Sequence, residues 1–205
     1  SLVGSEMCIR DRLDSALRDC THAALVPTQL WRLLSEETLP TALKAVLLGG
    51  ATIPQVLTQQ AEARGVSCWC GYGLTELAST VCAKRADGRS GVGMPLQGRE
   101  IRLVEEEILL RGSTLATGYW RDGKLIPLLD DDGWFHTRDR GRFVEGEWHI
   151  LGRLDNQFFS GGEGVQPENI EAVLLTHPDV QQACVVPVDD VEFGHRPVAV
   201  VEVAH

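Results

Sequence analysis

Cys70-Gly71-Tyr72-Gly73-Leu74-Thr75-Glu76-Leu77-Ala78-Ser79-Thr80 continues a short apolar run at residues 66–70, and an earlier run, Ala45-Val46-Leu47-Leu48, ends at Gly49-Gly50-Ala51. Apolar runs of this length, each broken by glycine, predict buried parallel strands whose carboxyl ends present loops to a ligand. Between them, Pro54 opens a segment in which Val56, Leu57 and Ala61 recur at helical spacing as far as Gly65. Strand, glycine, helix, strand is the order of a doubly wound α/β unit, and it places Gly50 and Gly71 at one edge of the sheet. Gly71 and Gly73 let the backbone approach a ligand or adopt positive φ. Tyr72 offers a flat ring able to cover a purine, Thr75 a hydroxyl and Glu76 a carboxylate. The set suits a phosphate-bearing ligand with a magnesium ion. Read alone, the same residues also describe a Gly-Tyr-Gly turn followed by a helix start.

Working outward, residues 13–20 read as a helix, residues 23–26 as a strand, and residues 28–34 as a helix entered just after Pro27. Residues 1–12 complete no periodic segment and are expected to be a non-native leader. From Gly91 the texture changes to short strands and turns: residues 101–104 and 107–110 flank Glu105-Glu106, and Phe143-Val144 and residues 148–151 flank Glu145-Gly146. Gly161 to Gly164 reads as a glycine-rich loop; residues 167–175 read as a helix, and residues 180–188 and 197–203 as strands. The expected organisation is an α/β portion (13–90), an antiparallel β portion (91–154) and a small α+β domain (155–205).

Composition narrows the function. With 19 Lys+Arg against 29 Asp+Glu, the 205 residues carry a formal net charge of -10, so no diffuse basic surface is available for nucleic acid or an anionic membrane. A phosphate would be held locally, by backbone amides, magnesium and a few placed basic residues. No run approaches the roughly 18 apolar residues of a spanning helix, and the default expectation is a cytoplasmic protein. Cys68 and Cys70 alternate with Trp69 and read as small core residues on one face of a strand. His22, His136, His149, His177 and His195 show no catalytic constellation in the sequence.

Taken in order, five segments resemble the adenylate-forming superfamily of acyl-CoA synthetases, luciferase-type enzymes and peptide-synthetase adenylation domains. They are Leu48-Gly49-Gly50-Ala51; Gly71-Tyr72-Gly73-Leu74-Thr75-Glu76; Glu107-Ile108-Leu109-Leu110-Arg111-Gly112 leading to Gly118-Tyr119-Trp120; Gly133-Trp134-Phe135-His136-Thr137-Arg138-Asp139; and Gly152-Arg153-Leu154-Asp155 leading through Gly161-Gly162 to Pro167-Glu168-Asn169. Val26-Pro27-Thr28-Gln29-Leu30-Trp31 and Glu192-Phe193-Gly194-His195-Arg196-Pro197 narrow the resemblance to members that activate 2-succinylbenzoate for menaquinone biosynthesis.

The resemblance implies that Gly49, Gly50 and Ala51 border the adenine and acyl pocket, that Tyr72 lies against adenine with Gly71 and Gly73 beside it, and that Thr75 contacts phosphate. It implies magnesium at Glu76, ribose at Asp139, and ribose or phosphate at Arg153; Thr75, Glu76 and Arg153 would serve catalysis. Ser79 and Thr80 would line the acid pocket, Asp155 would be the hinge of the small domain, and Gly161 and Gly162 would serve the coenzyme A step. The implied partners are ATP, coenzyme A and a small carboxylic acid, with homo-oligomerisation left open.

Many relatives have glycine where this chain has Arg138. No Ser/Thr/Gly-rich loop ending in lysine precedes Leu13, and the chain stops before the position of the family's adenylation lysine, so a fragment with little activity of its own is expected. A ligase for another aromatic or fatty acid, and an AMP-binding module without catalysis, remain open. A dinucleotide-binding domain is disfavoured, since no Gly-x-Gly-x-x-Gly follows the first strand.

Overall fold

In the computed structural model, residues 13–35 and 39–203 are described, and the expected leader at residues 1–12 lies outside them. The chain divides into two compact units, the first ending at Leu96 and the second beginning at Gln97.

The first unit contains α1 (Leu13–Leu17), β1 (His22–Leu25), α2 (Pro27–Ser35), β2 (Ala45–Leu48), α3 (Gln55–Ala63), β3 (Ser67–Leu74), a 3-10 turn (Thr75–Leu77) and β4 (Ser79–Arg85). The sheet order is β1-β2-β3-β4, parallel until β4, which closes it antiparallel. Pro27 starts α2 where its missing N–H would have had no helical partner. Leu30, Leu33 and Leu34 of α2 and Leu57 and Ala61 of α3 form one core with Leu25, Val46, Leu48 and Cys68 from the strands. Cys68, Cys70 and Tyr72 are all buried along β3, whereas the intervening Trp69 is 43% exposed. Burial pushes the thiols up, Cys68 to about 11 and Cys82 to about 12, which keeps them protonated and inert.

One expectation is corrected here. The strand does not end at Gly71; it runs through Gly71-Tyr72-Gly73 to Leu74 because β4 supplies an antiparallel partner. Gly71 lies opposite Ala83 and Tyr72 opposite Cys82, and after a register shift Gly73 lies opposite Thr80. A Cβ on Gly73 would stand 2.1 Å from the Ser79 carbonyl oxygen, so the close approach of β4 by itself calls for glycine. The shared sheet edge is as expected: Leu48 pairs with Cys70, and a Cβ on Gly49 would lie 3.2 Å from the Gly71 oxygen.

The second unit contains β5 (Arg99–Val104), β6 (Glu107–Gly112), β7 (Gly118–Arg121), β8 (Lys124–Pro127), β9 (Phe135–Val144) and β10 (Glu147–Arg153). A 3-10 turn (Leu154–Asn156), β11 (Phe158–Ser160), β12 (Glu163–Val165), α4 (Pro167–Leu174), β13 (Val180–Asp190) and β14 (Gly194–Val203) follow. Its main sheet is antiparallel in the order β10-β9-β6-β5. Because β6 is an inner strand covered on both faces, Ile108, Leu109 and Leu110 are all buried, the condition that a continuous apolar run reports.

Glu105-Glu106 (φ 49 and 69) and Glu145-Gly146 (φ 53 and 81) form the expected hairpin turns, both central residues having the positive φ that suits strand twist. The sequence reading missed the β7–β8 hairpin, whose signal was Asp122-Gly123. It also read Gly161 to Gly164 as a loop, whereas Gly161-Gly162 is the turn of the β11–β12 hairpin. Replacing Gly73 by alanine is expected to destabilise the chain by about 1–3 kcal/mol, the usual cost of overpacking, in a urea unfolding titration.

Candidate functional site

In the first unit, Thr75 and Glu76 stand on the 3-10 turn directly beyond β3. The turn is entered from extended Leu74 and left through Ala78 at φ 55, with Ser79 at φ 101. This reversal lays β4 against β3 and returns Ser79 and Thr80 opposite Leu74 and Gly73. Thr75 and Ser79 are exposed, Glu76 and Thr80 half-buried, and Leu77 fully buried as the anchor of the turn. Positive φ in two successive non-glycine residues is strained backbone of the sort held at binding sites. Gly49, Gly50 and Ala51 follow β2, with Gly50 and Ala51 exposed. The structure therefore gathers the glycines, Thr75 and Glu76 at the carboxyl end of the parallel strands, where open α/β sheets bind ligands.

Tyr72 differs from the others, its ring being buried on the face shared with Cys70. Among the described residues no group of three or more His, Cys, Asp and Glu is placed to hold a metal. Magnesium needs no such cage, since one or two carboxylates commonly hold it together with substrate phosphates and water. An accessible threonine beside a half-buried glutamate fits that donor set.

In the second unit the geometry is built around Asp139. Residues 135–141 of β9 alternate in burial, with Thr137 and Asp139 inward and Arg138 outward. The Thr137 hydroxyl donates to the Ile108 carbonyl at 2.7 Å and accepts the Asp139 N–H at 2.9 Å, so one buried oxygen links β6 to the backbone of Asp139. Arg138 between them has φ 62, a left-handed conformation that favours glycine. Glycine would adopt this conformation at lower cost. The Arg138 N–H is held by Glu107 Oε1 at 3.0 Å.

Asp139 pairs in register with Arg153 of β10, and Arg153 Nη1 lies 3.2 Å from Asp139 Oδ1. Arg153 Nη2 also reaches Asp155 Oδ2 at 3.0 Å, and Arg138 Nε reaches Asp155 Oδ1 at 3.3 Å. Donation from Arg153 first, then from Arg138, holds the Asp155 carboxyl below its ordinary value. Asp139, Arg153 and Asp155 thus form one charged cluster, with Asp139 largely buried and the other two about half exposed.

The end of β10 is tied to the start of α4. The Arg153 N–H donates to Glu168 Oε1 at 3.3 Å, Asn156 Nδ2 donates to the same oxygen at 2.7 Å, and Gln166 Nε2 donates to the Arg153 carbonyl at 3.0 Å. Burial works to raise Glu168, but donations from Asn156 and Gln166 outweigh it and leave the carboxyl below its usual value. Gly161 packs elsewhere in the unit, its N–H donating to the Phe193 carbonyl at 2.9 Å.

Sequence reasoning saw no constellation at His136, and this is a second correction: its Nδ1 is 3.0 Å from Glu107 and its Nε2 is 3.2 Å from Asp130. Glu107 comes from another strand and Asp130 from the turn before β9, so no local spacing announced the cluster. No helix among the described residues is long and apolar enough to cross a membrane.

The AMP-binding enzyme family matches residues 3–120, and the AMP-binding enzyme C-terminal domain matches residues 169–205. The chain is 65% identical to 2-succinylbenzoate–CoA ligase of Salmonella typhimurium, covering 98% of this chain and 44% of that protein. It is 58% identical to the Escherichia coli protein of that name, covering 98% of this chain and 45% of the relative. A variant of E. coli MenE with bound OSB-AMS superposes with a TM-score of 0.90 at 59% identity, over 94% of this chain and 43% of that one. Bacillus subtilis MenE in complex with ATP and magnesium superposes at 0.75 with 28% identity, over 94% and 44% respectively. The chain therefore spans less than half the length of these relatives.

Exchanging Thr137 for valine removes the hydroxyl that serves both Ile108 and Asp139. Urea unfolding is expected to show a loss of about 1–3 kcal/mol, the cost of buried polar groups left unpaired, with Thr137→Ser keeping most of the stability.

Proposed function

The chain belongs to the AMP-binding enzyme family, and from that premise we propose that it is part of an ATP-dependent acid–CoA ligase acting on 2-succinylbenzoate. The carboxylate attacks the α-phosphorus of ATP, pyrophosphate leaves, and an acyl-adenylate forms. The coenzyme A thiol, losing its proton, then attacks the acyl carbon and AMP leaves with the electron pair of the broken C–O bond. What supports this reading most is the identity with 2-succinylbenzoate–CoA ligases along nearly the whole chain.

The residues supply positioning and charge rather than a covalent nucleophile. Thr75 donates its hydroxyl to phosphate, and Gly49, Gly50, Ala51, Gly71 and Gly73 leave backbone accessible beside the nucleotide. Glu76 contributes the protein carboxylate to magnesium, an ion that neutralises phosphate charge when bound. Tyr72 supports the adenine side, and Ser79 and Thr80 face the acid. Ionised and acceptor-only, Asp139 takes hydrogen bonds from the ribose hydroxyls, with Arg153 as its planar partner. Asp155 serves as the hinge, and Gly161-Gly162 serves the thioester step.

The test uses the longer protein of which this chain is part, offered a panel of carboxylates with ATP, magnesium and coenzyme A. AMP release is expected with 2-succinylbenzoate well ahead of long-chain acids; a preference for a long-chain acid, or release with none, would overturn the proposal. Asp139→Asn is expected to weaken AMP binding about tenfold or more, the effect of losing roughly one charged hydrogen bond. Glu76→Gln is expected to raise the magnesium concentration needed for half-maximal adenylation while leaving AMP affinity without magnesium nearly unchanged.

A further inference from the structure

His136 stands three positions before Asp139 on β9, with an acidic group at each ring nitrogen: Glu107 Oε2 at 3.0 Å from Nδ1 and Asp130 Oδ2 at 3.2 Å from Nε2. A neutral imidazole carries one N–H and can satisfy one of these acceptors; only the imidazolium satisfies both. Each acid is also engaged with backbone. Glu107 uses its second oxygen to accept the N–H of Arg138, the left-handed residue of β9. Asp130 Oδ1 accepts the N–H groups of Trp134 at 2.7 Å and Asp132 at 3.0 Å. Between the pairs Leu109–His136 and Glu107–Arg140, β9 spends two more residues than β6. The ring therefore joins β6 and the turn before β9 to the part of the strand where those extra residues are accommodated.

We propose that His136 is a positioning residue for Asp139: charged and bonded at both nitrogens, it pins Glu107, which holds the Arg138 N–H and with it the kink that sets where Asp139 is presented. The nucleotide contact of Asp139 belongs to the function proposed above; the clamp on the kink stands without it. Facing the ring are Glu107 from β6 and Asp130 from the turn, while on its own strand the Arg138 guanidinium is engaged with Asp155. The hydrogen bond to Glu107 holds the imidazole above its ordinary value against a smaller opposing effect of burial. Asp130 is held below its own, first by the Trp134 N–H.

The sign of the pH effect follows. A cationic group whose pKa is raised by folding contributes fully below its unfolded value and loses that contribution as pH rises through the folded one. While Glu107 and Asp130 carry their charge, the clamp is complete below the ordinary imidazole value of 6.5 and opens as pH rises through the raised pKa of His136.

The test is an NMR titration of the His136 ring in this chain, with hydrogen exchange at the Arg138 amide compared between wild type and His136→Gln across pH. The expected result is a ring that titrates above the ordinary value. After correction for intrinsic base catalysis, the expected Arg138 protection falls several-fold through that titration in wild type and stays low at every pH in the variant. A ring titrating at or below the ordinary value overturns the proposal without recourse to any variant. So does equal Arg138 protection in the two proteins. In the longer enzyme, His136→Gln is expected to raise KM for ATP several-fold with kcat little changed, and an unaltered KM would overturn the link to Asp139. A wild-type enzyme without turnover would sink the function proposed above and leave the exchange data to decide the clamp.

Discussion

Asp139 is a largely buried carboxylate fixed from two directions, and the second unit's site depends on that constraint. Its backbone N–H is held by the Thr137 hydroxyl, which is itself bonded to the Ile108 carbonyl, while its side chain meets the Arg153 guanidinium. A buried charge is tolerated only where such partners exist. Providing them brings together the β6–β9 bulge, the β9–β10 register and the cluster at Asp155. The exposed members of that cluster contribute little to stability by themselves. What they contribute is orientation, since one guanidinium bonded to two carboxylates has few directions left.

The first unit meets a comparable constraint with backbone. Gly73 admits β4 to within contact of β3, and the reversal through Ala78 and Ser79 is what sets Thr75 and Glu76 beyond the sheet. Here the positions that look dedicated to ligand have a second reason for their identity. The two explanations are compatible, because a strand edge that accepts close backbone contact is also one that a ligand can approach.

Much of the architecture was legible in sequence. The run at Ala45–Leu48 and the spacing of Leu57 and Ala61 identified strand and helix, because burial on a sheet or on one helical face imposes those repeats, whereas Val56 stands 45% exposed and Thr58 takes the buried place beside Leu57. Residues 107–110 were legible as one strand of the hairpin around Glu105-Glu106, while its inner position in the sheet, which buries Ile108, Leu109 and Leu110, came from the pairing with β9. Less legible was the course of β3 past Gly71, since glycine marks both the end of a strand and the close approach of a neighbour, and only β4 distinguishes them. The β7–β8 hairpin was written in Asp122-Gly123, a turn signal that went unused.

By itself the sequence determined the elements that carry a strong period or an apolar run, the acidic character and the order of the family's segments, because these depend on local periodicity and on residue identity along the chain. The tertiary structure alone decided which side chains answer one another: Arg153 with Asp139, Glu107 with His136 and the Arg138 N–H, Glu168 with Arg153 and Asn156. Those partners are 12 to 31 positions apart. Strand register and the bulge in β9 bring the first pairs together, and the start of α4 lying at the end of β10 brings Glu168 to Arg153 and Asn156; none of these leaves a repeat in the sequence, because such contacts are specified by where backbones meet rather than by spacing along one of them.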